Sequence, residues 1–153
     1  GGFSFSDKSL HRWQGYKKCL RDHGIPYDPA LVMQTRYTLE SGREGIKAIL
    51  SRAKPPTAVF CSNDFMAVGA MQGAREAGVM LPQGLSIVGF DDMAIASYIS
   101  PSLTTIRQPA HEMGRLGTQI LLDQIRKRDG RPVHQILETS IVVRESTAAP
   151  ALL

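Results

Sequence analysis

Polar side chains follow two apolar strands of this sequence, at the point where each strand ends. Asn63 and Asp64 come after the run TAVFCS, and Asp91 and Asp92 come after LSIVGF. Carboxylates and amides can share several hydrogen bonds with a polyol or another polar ligand. Apolar runs that stop on polar groups are typical of the carboxyl edge of a parallel sheet, where open α/β folds bind ligands. We therefore expect the function of the chain to lie at this edge.

Three further side chains could reach the same edge. Arg12 lies in the first turns of the opening helix and could share a polyol or an anion with Asp91, or it could be an ordinary surface arginine. Tyr37 offers either a flat apolar face to a ligand or a surface anchor for its loop. Gln108 follows a strand and supplies either an amide to the cleft or a routine polar strand end.

Other chemistries lack their sequence patterns. There is no GxGxxG after a strand, no P-loop, no HExxH and no GxSxG, so we expect no enzyme, no catalytic residue and no cofactor. The four histidines are scattered without ligand spacing, so we expect no metal. Asp91 and Asp92 lack the third acid or the lysine of a magnesium or phosphoacceptor site. Cys19 and Cys61 form no CxxC, and we expect buried, reduced thiols in a cytoplasmic protein.

Length and composition fit one globular domain. The chain has 153 residues, of which 42% are hydrophobic. No apolar stretch approaches the roughly 20 residues of a membrane helix, so we expect no membrane partner. The net charge of +4 comes mainly from basic residues at 17–21 and 126–131. We place both groups in the last turns of helices, where cations complement the helix dipole, and no interleaved aromatics favour a nucleic-acid surface.

Strands and helices are predicted to alternate. Apolar periodicity predicts helices over 7–23, 65–77, 93–99 and 111–127, and one more from a capping box of Ser41 and Glu44 to the residue before Pro55. Strands are predicted at 31–33, 57–61, 86–90, 103–107 and within 133–144. This order predicts an α/β fold with a mostly parallel sheet and helices on both faces.

A known family shares a series of motifs with this chain. In order along the sequence, these are RWQGY, TLESG, PPTAVFCSNDFMAVGAM, EAGVMLPQGLSIVGFDD, ISPSLTTIRQP and IVVREST. The series covers nearly the whole chain and resembles the C-terminal half of bacterial lactose-repressor-type transcription regulators, the LacI/GalR family. The resemblance implies a periplasmic-binding-protein-like fold with a doubly wound sheet. In that family, a two-lobed core holds an effector and an N-terminal helix-turn-helix reads operator DNA.

The resemblance also divides the chain into segments. Residues 1–108 would form the C-terminal lobe of the effector-binding core, 109–139 would cross to the N-terminal lobe, and 140–147 would return as a final strand. Independently of the resemblance, residues 148–153 are too short to form an element, and we expect them to be a frayed tail. Gly1 and Gly2 would end the first strand of the lobe. The DNA-binding domain and most of the N-terminal lobe would lie outside this sequence, so operator DNA would be reached only through the missing helix-turn-helix.

Site residues follow from the positions that match the family's motifs. Arg12 of the RxxG motif would grip ligand hydroxyls or a carboxylate, and Asp91 of GFDD would accept two ligand hydroxyls. The polar cleft positions Asn63 and Gln108 and the aromatic Tyr37 complete the implied set of effector contacts. Asp64 would instead be the N-cap of the helix that follows it. A sugar, a sugar phosphate or a purine-like ring would suit this set.

The resemblance further implies a homodimer. In the family, the helix after Asp64 and the segment around 94–99 lie at the dimer interface. The corresponding contacts in this chain would be Val68, Met71, Tyr98 and Ile99. The small residues of the helix at 65–77 would permit close approach of a partner, although a helix packed on its own sheet would look the same. An alternative class remains open, a periplasmic-type sugar-binding or sensor protein without operator function.

The helix predicted at 111–127 carries a wide apolar stripe. Its members are Met113, Leu116, Ile120, Leu121 and Ile125. In the family this stripe is covered by the other lobe, and burial is worth about 25 cal/mol per Å². We therefore expect the chain expressed alone to aggregate or to pair with another copy. A monodisperse monomer in sedimentation, without binding of an apolar dye, would contradict this expectation.

Overall fold

Helices and strands alternate along residues 7–127 and 132–149, the part of the chain described by a computed structural model. The helices are α1 (Asp7–Asp22), α2 (Leu39–Leu50), α3 (Asp64–Glu76), α4 (Ile95–Tyr98) and α5 (Ala110–Lys127). The strands are β1 (Ala58–Phe60), β2 (Ser86–Asp91), β3 (Thr104–Arg107) and β4 (Ser140–Val142). The predicted helix over 7–23 is confirmed to within one residue at its end.

The four strands form one sheet in the order β1-β2-β3-β4. β1, β2 and β3 are parallel, and β4 runs antiparallel to β3. The prediction of an α/β fold with a mostly parallel sheet is thereby confirmed. Because β1, β2 and β3 run the same way, their carboxyl ends lie at one edge of the sheet. That edge carries Ser62, Asp91 and Gln108, which follow or end these three strands.

The core lies where α3 packs against β2. Its fully buried side chains include Met71, Leu85, Ile87 and Leu103. Small residues on α3 let the helix approach the sheet closely, as their spacing predicts. Met71 is only 2% exposed in this core, so it cannot serve as the outward-facing dimer contact that the family resemblance implied.

The small residues of α3 also allow a very close contact with α2. A Cβ atom added at Gly69 would lie 1.9 Å from the carbonyl oxygen of Leu39, and one at Gly42 would lie 2.1 Å from that of Met66. Both distances are far inside van der Waals contact, so the two helix backbones touch at these glycines. Gly69 therefore faces another helix of its own chain, which is neither the dimer contact nor the packing on the sheet that the sequence left open.

The strand predicted at 31–33 is wrong. Residues Pro29–Leu31 form a 3-10 helix, and no strand follows before α2. A strand needs a hydrogen-bonded neighbour. Within the described chain, residues 31–33 instead line a cavity of about 180 Å³ whose other wall includes β1. The apolar character of Leu31 and Val32 is used for lining this cavity rather than for pairing.

Two other element predictions need correction. The second helix begins at Leu39, because Thr38 is its N-cap and Ser41 completes the capping box, so the predicted box of Ser41 and Glu44 is wrong. Thr38 Oγ1 accepts from the Ser41 backbone N–H at 3.2 Å. Thr38 and Ser41 can both cap a helix, and capping at Thr38 makes α2 nearly one turn longer than capping at Ser41 would. In the predicted strand region, only Ser140–Val142 is a strand among the described residues.

The predictions for the two cysteines and for the ends of the chain have different outcomes. Cys61 is buried but Cys19 is exposed, so the predicted burial of Cys19 is wrong, because no described element covers its face of α1. Ala148, the first residue of the predicted frayed tail, is anchored, since its N–H donates to Ser86 Oγ at 3.1 Å. The predictions for Gly1 and Gly2, Arg128, Arg131 and residues 150–153 lie outside the described residues.

The apolar stripe of α5 is exposed along much of its length. Met113 is 48% exposed, Leu121 57% and Ile125 64%. The expectation that the chain self-associates when expressed alone rests on this uncovered surface. Among the described helices, none combines the length and apolar character needed to cross a membrane.

An ion cluster joins α2 to α3 beside their glycine contact. Arg43 Nε donates to Glu76 Oε1 at 2.8 Å, and Lys47 Nζ contacts the same carboxylate. The hydrogen bonds from Arg43 and Lys47 lower the pKa of Glu76 from 4.5 to about 2. The carboxylate is thus stabilised in its charged form by two cations of the neighbouring helix.

We expect Glu76→Gln to lower the free energy of unfolding of the intact protein at pH 7. Because the folded-state pKa is depressed, the contribution of Glu76 is fully present above its ordinary value of 4.5 and is lost as pH falls through about 2. Denaturant unfolding at a series of pH values measures the difference between the two proteins. That difference should also shrink in about 1 M salt, since the cluster is solvent-accessible. A difference that grows as the pH falls would contradict the assignment.

Candidate functional site

The end of β2 turns through two unusual backbone conformations. Asp91 has a φ of 115° and Asp92 a φ of 53°, both in the region that residues other than glycine seldom adopt. Such a residue typically costs about 1–3 kcal/mol and persists only when its surroundings hold it in place. Strained turns of this kind concentrate at binding sites. The contacts that hold this turn are therefore part of the site.

Asp91 and Gln108 meet at the carboxyl edge of the sheet. Gln108 Nε2 donates a hydrogen bond to Asp91 Oδ1 at 2.5 Å. The parallel register places Asp91 opposite Arg107, and Gln108 is the next residue along the chain. The structure thus brings together two of the five predicted effector contacts, and the amide fixes the orientation of the carboxylate.

Arg12 reaches the same edge from α1. Its Nη1 donates to the carbonyl oxygen of Ser62 at 2.6 Å. Its guanidinium carbon also lies 3.7 Å from the centre of the Phe90 ring, a cation–π contact. Ser62 precedes Asn63, and Phe90 precedes Asp91. A guanidinium held on both sides in this way differs from an ordinary surface arginine, whose position is unconstrained.

At the junction after β1, Asn63 and Asp64 have roles that differ from those predicted. Asn63, rather than Asp64, is the N-cap of α3, and its Oδ1 accepts from the Met66 backbone N–H at 2.8 Å. Asp64 is the first helical residue and is fully buried. The predicted N-cap role of Asp64 is therefore wrong. Asn63 lies at the predicted edge, with its side-chain oxygen already used by the helix.

Asp64 ties α3 to the two neighbouring strand ends. Its Oδ1 accepts from Thr105 Oγ1 at 2.6 Å, and its Oδ2 accepts from the Met93 backbone N–H at 2.7 Å. Burial raises the pKa of Asp64, and these two hydrogen bonds offset part of that rise. A Cβ atom at Gly89 would lie 2.2 Å from Asp64 Oδ1, so the glycine makes room for the carboxylate.

Asp92 was not assigned a role by the sequence, yet two arginines bind it. Arg107 Nε donates to Oδ2 at 2.6 Å, and Arg144 Nη2 donates to Oδ1 at 2.6 Å. The Asp92 side chain is only 9% exposed. Burial raises its pKa, but the hydrogen bonds from Arg144 and Arg107 outweigh burial and hold the pKa of Asp92 below its ordinary value. The only sequence signal was the second acid of GFDD.

The remaining predicted contact is placed less closely. Tyr37 lies in the loop before α2 and is 43% exposed, and its place beside a ligand stays a prediction.

The cavity beside β1 includes Arg12 and Ser62 in its lining but neither Asp91 nor Gln108. Asp91 and Gln108 thus lie outside the cavity, whereas Arg12 contributes to its wall. Within the described residues, no group of three or more acids, cysteines or histidines could hold a metal ion.

A guanidinium, a carboxylate and an amide thus lie at the carboxyl edge of a parallel sheet, the edge at which open α/β folds bind small molecules. The chain belongs to the family of periplasmic binding protein-like domains, whose sequence profile matches residues 2–147. The mostly parallel sheet of the chain agrees with this membership.

Relatives confirm the resemblance to lactose-repressor-type regulators. The ribose operon repressor of Haemophilus influenzae is 40% identical over 136 residues, which are 89% of this chain and 41% of that protein. The structure of the CelR–cellobiose complex matches with a TM-score of 0.86 and 36% identity, covering 90% of this chain and 42% of that one. A LacI-family regulator from Enterococcus faecium with bound ribose gives a TM-score of 0.84 and 34% identity, covering 92% and 52%.

The chain therefore spans about two fifths of the length of the curated relatives it matches, 41% of each of the first two. These relatives are transcriptional repressors. The remaining three fifths or so of each of these two relatives lies outside the match.

Proposed function

We propose that this chain is the C-terminal part of the effector-binding core of a bacterial transcriptional regulator that responds to a sugar or a sugar derivative. The observation that carries the proposal is the convergence of Arg12 with the Asp91–Gln108 pair at one sheet edge. Support comes from relatives that are transcriptional repressors and from two similar structures that contain cellobiose and ribose.

The proposed chemistry is hydrogen bonding without catalysis. Asp91 would accept ligand hydroxyls through the carboxylate oxygen that Gln108 does not use, and Arg12 would donate to a hydroxyl or an anionic group. Asn63 would contribute through its amide nitrogen, because its oxygen caps α3. Tyr37 would pack on the face of the ligand.

The proposed response is a change of conformation. An effector held between this lobe and the other lobe of the intact protein would favour the closed core. Its differential affinity for the closed and open states would then change the affinity for operator DNA through linkage. The effector would act through this equilibrium in the cytoplasm, and operator DNA would be bound by a helix-turn-helix elsewhere in the protein.

Calorimetry of the intact protein against a panel of sugars tests the proposal. The panel contains ribose, cellobiose, other mono- and disaccharides, sugar phosphates and nucleosides. We expect saturable binding of one class, and a change in the protein's affinity for DNA fragments that it selects from the genome. Failure of every compound on the panel to bind would refute the effector site.

A second candidate is a sugar-binding or sensor protein without operator function. The family profile, which is described as periplasmic binding protein-like, favours it as much as it favours a regulator. The intact gene discriminates between them at once. A helix-turn-helix upstream of this region supports the regulator, whereas sugar binding by a protein with no DNA affinity supports the alternative.

We also propose that the intact protein is a homodimer whose interface includes the region of α4. The Tyr98 side chain is 85% exposed in the single chain. Aromatic side chains are common anchors of protein interfaces, where a partner buries them, so Tyr98 is a candidate anchor. Val68 and Ile99 are partly exposed and remain candidate contacts beside it. Met71 no longer belongs to this set because its side chain lies in the core.

We expect Tyr98→Asp to weaken the dimer of the intact protein by at least about tenfold, because a charge would replace an aromatic anchor in a desolvated interface. Sedimentation velocity over a range of concentrations measures the change. Tyr98→Phe is the matched control and should remain dimeric. If both variants dimerise like the unmodified protein, α4 is not at the interface.

A further inference from the structure

Asp92 connects the turn after β2 to two other strands. Its two carboxylate oxygens bind different arginines, Arg107 at the end of β3 and Arg144 just beyond β4. Arg144 also donates from Nη1 to the carbonyl oxygen of Leu103 at 2.7 Å. Arg144 is thus fixed at both ends of its guanidinium, while Arg107 is held by the carboxylate at the surface.

The same turn is held at its backbone. The Asp92 N–H points to Thr105 Oγ1 at 3.4 Å, and the Met93 N–H donates to Asp64 Oδ2 at 2.7 Å. Thr105 in turn donates to Asp64. The two residues with positive φ, Asp91 and Asp92, are therefore enclosed by contacts from α3, β3 and the chain after β4.

The two arginines that bind Asp92 come from opposite ends of the segment between β3 and β4. β3 leads through Gln108 into α5, and β4 is the strand that returns after residues 109–139. Arg107 and Arg144 therefore lie on the two stretches of chain that flank this segment. A single carboxylate, one residue away from the proposed ligand contact Asp91, bonds to both of them.

We infer that Asp92, held by Arg107 and Arg144, is a positioning residue that keeps the strained turn in the shape that presents Asp91 to the effector. The inference rests on the proposed function of Asp91 but concerns a different side chain. Without the ion triad, the positive φ values at Asp91 and Asp92 have less to hold them, so the chain relaxes toward ordinary extended backbone. The carboxylate of Asp91 then leaves its place beside Gln108 while remaining chemically intact.

Two substitutions in the intact protein test this inference. Asp92→Asn removes the charge that binds both arginines. Arg107→Gln removes one arm of the triad at a side chain that is 56% exposed, and we expect folding to tolerate a change at so exposed a position. Arg107→Lys keeps a cation at the same place and is the conservative rescue. Arg115→Gln removes an arginine from an exposed ion pair with Glu112 on α5 and is the matched control.

Hydrogen exchange and sugar affinity are the two readouts. We expect Asp92→Asn to speed exchange of the amides of Asp92 and Met93 by at least about tenfold, and Arg107→Gln by a smaller factor. Affinity for whichever panel sugar binds the unmodified protein, with ribose and cellobiose tried first, should fall in the same order. Arg107→Lys should recover most of the affinity, and Arg115→Gln should change neither readout.

The outcomes separate this inference from the proposed function. Unchanged exchange at Asp92 and Met93 in both variants overturns the positioning role, whatever the sugars do. Loss of affinity accompanied by a uniform rise in exchange over the whole protein also overturns it, because that result indicates general destabilisation. If no sugar binds the unmodified protein, the proposed effector site fails, and the exchange data still decide whether Asp92 holds the turn.

Discussion

We expect Asp91→Ala to abolish the effector response of the intact protein while leaving its binding to operator DNA unchanged. A carboxylate that accepts two ligand hydroxyls contributes about 1.5–3 kcal/mol through each hydrogen bond. Loss of both therefore weakens effector binding by about a hundredfold or more, since 1.4 kcal/mol corresponds to a factor of ten. Operator binding needs no group at this sheet edge and should survive.

A second substitution at Asp91 separates the loss of its charge from the change in backbone strain, and a substitution at another acid is the control. The φ of 115° at this position is unfavourable for alanine, whereas asparagine tolerates positive φ better. Asp91→Asn therefore tests the loss of charge with less strain, and we expect it to weaken the effector strongly too. Asp22→Ala is the control, because Asp22 is an exposed acid that pairs with Lys18 at the end of α1.

Fluorescence anisotropy of labelled operator DNA, titrated with protein and then with effector, measures both quantities. The assignment predicts equal operator affinity for all three variants and a lost response only in the two variants at Asp91. An induction curve for Asp91→Asn that coincides with that of the unmodified protein would remove Asp91 from the site.

The strand ends of this site were predictable from the sequence because they depend on local patterns. Apolar runs that stop at Asp91 and at Asn63 indicate strand ends, and parallel strands present those ends at one edge. By the same rule Gln108 could supply an amide to the cleft that contains Asp91, and the observed hydrogen bond between the two side chains agrees with that alternative. Such inferences need only the strand order, which alternation with helices provides.

The partners of Asp92 could not be predicted, because they depend on registers that no local pattern fixes. Arg144 is 52 residues from Asp92, and its approach requires β4 to pair antiparallel with β3 in one particular register. The residues between β3 and β4 contain α5, whose length and direction decide where β4 returns. Two arginines in a basic sequence give no sign of which acid they bind.

The N-caps of α2 and α3 were mispredicted for a different reason. Asn63 and Asp64 are both good N-cap residues, so the choice between them is made by tertiary contacts. The buried hydroxyl of Thr105 and the Met93 N–H attract the carboxylate of Asp64 away from the helix end. The failed strand at 31–33 is similar, since an apolar segment becomes a strand only where a neighbour offers hydrogen bonds.

The contact between α2 and α3 predicts a large loss of stability when its glycines are replaced. We expect Gly69→Ala to destabilise the intact protein by at least about 3 kcal/mol, at the upper end of overpacking costs. The added methyl group would lie 1.9 Å from the carbonyl oxygen of Leu39, which belongs to a helix backbone and cannot move aside like a flexible side chain. The two helices must separate, and the core below them loses contacts.

Gly15→Ala is the matched control for this prediction and should have the opposite sign. Gly15 lies within α1, and no atom lies within 4 Å of its added Cβ. Alanine there lowers the entropy of the unfolded chain and favours the helix by about 0.5–1 kcal/mol. Denaturant unfolding of the two variants and the unmodified protein measures both effects. Equal stability of Gly69→Ala and Gly15→Ala would mean that α2 and α3 do not touch at Gly69. α3 would then be free to present its small residues to a partner, as the dimer reading of the sequence allowed.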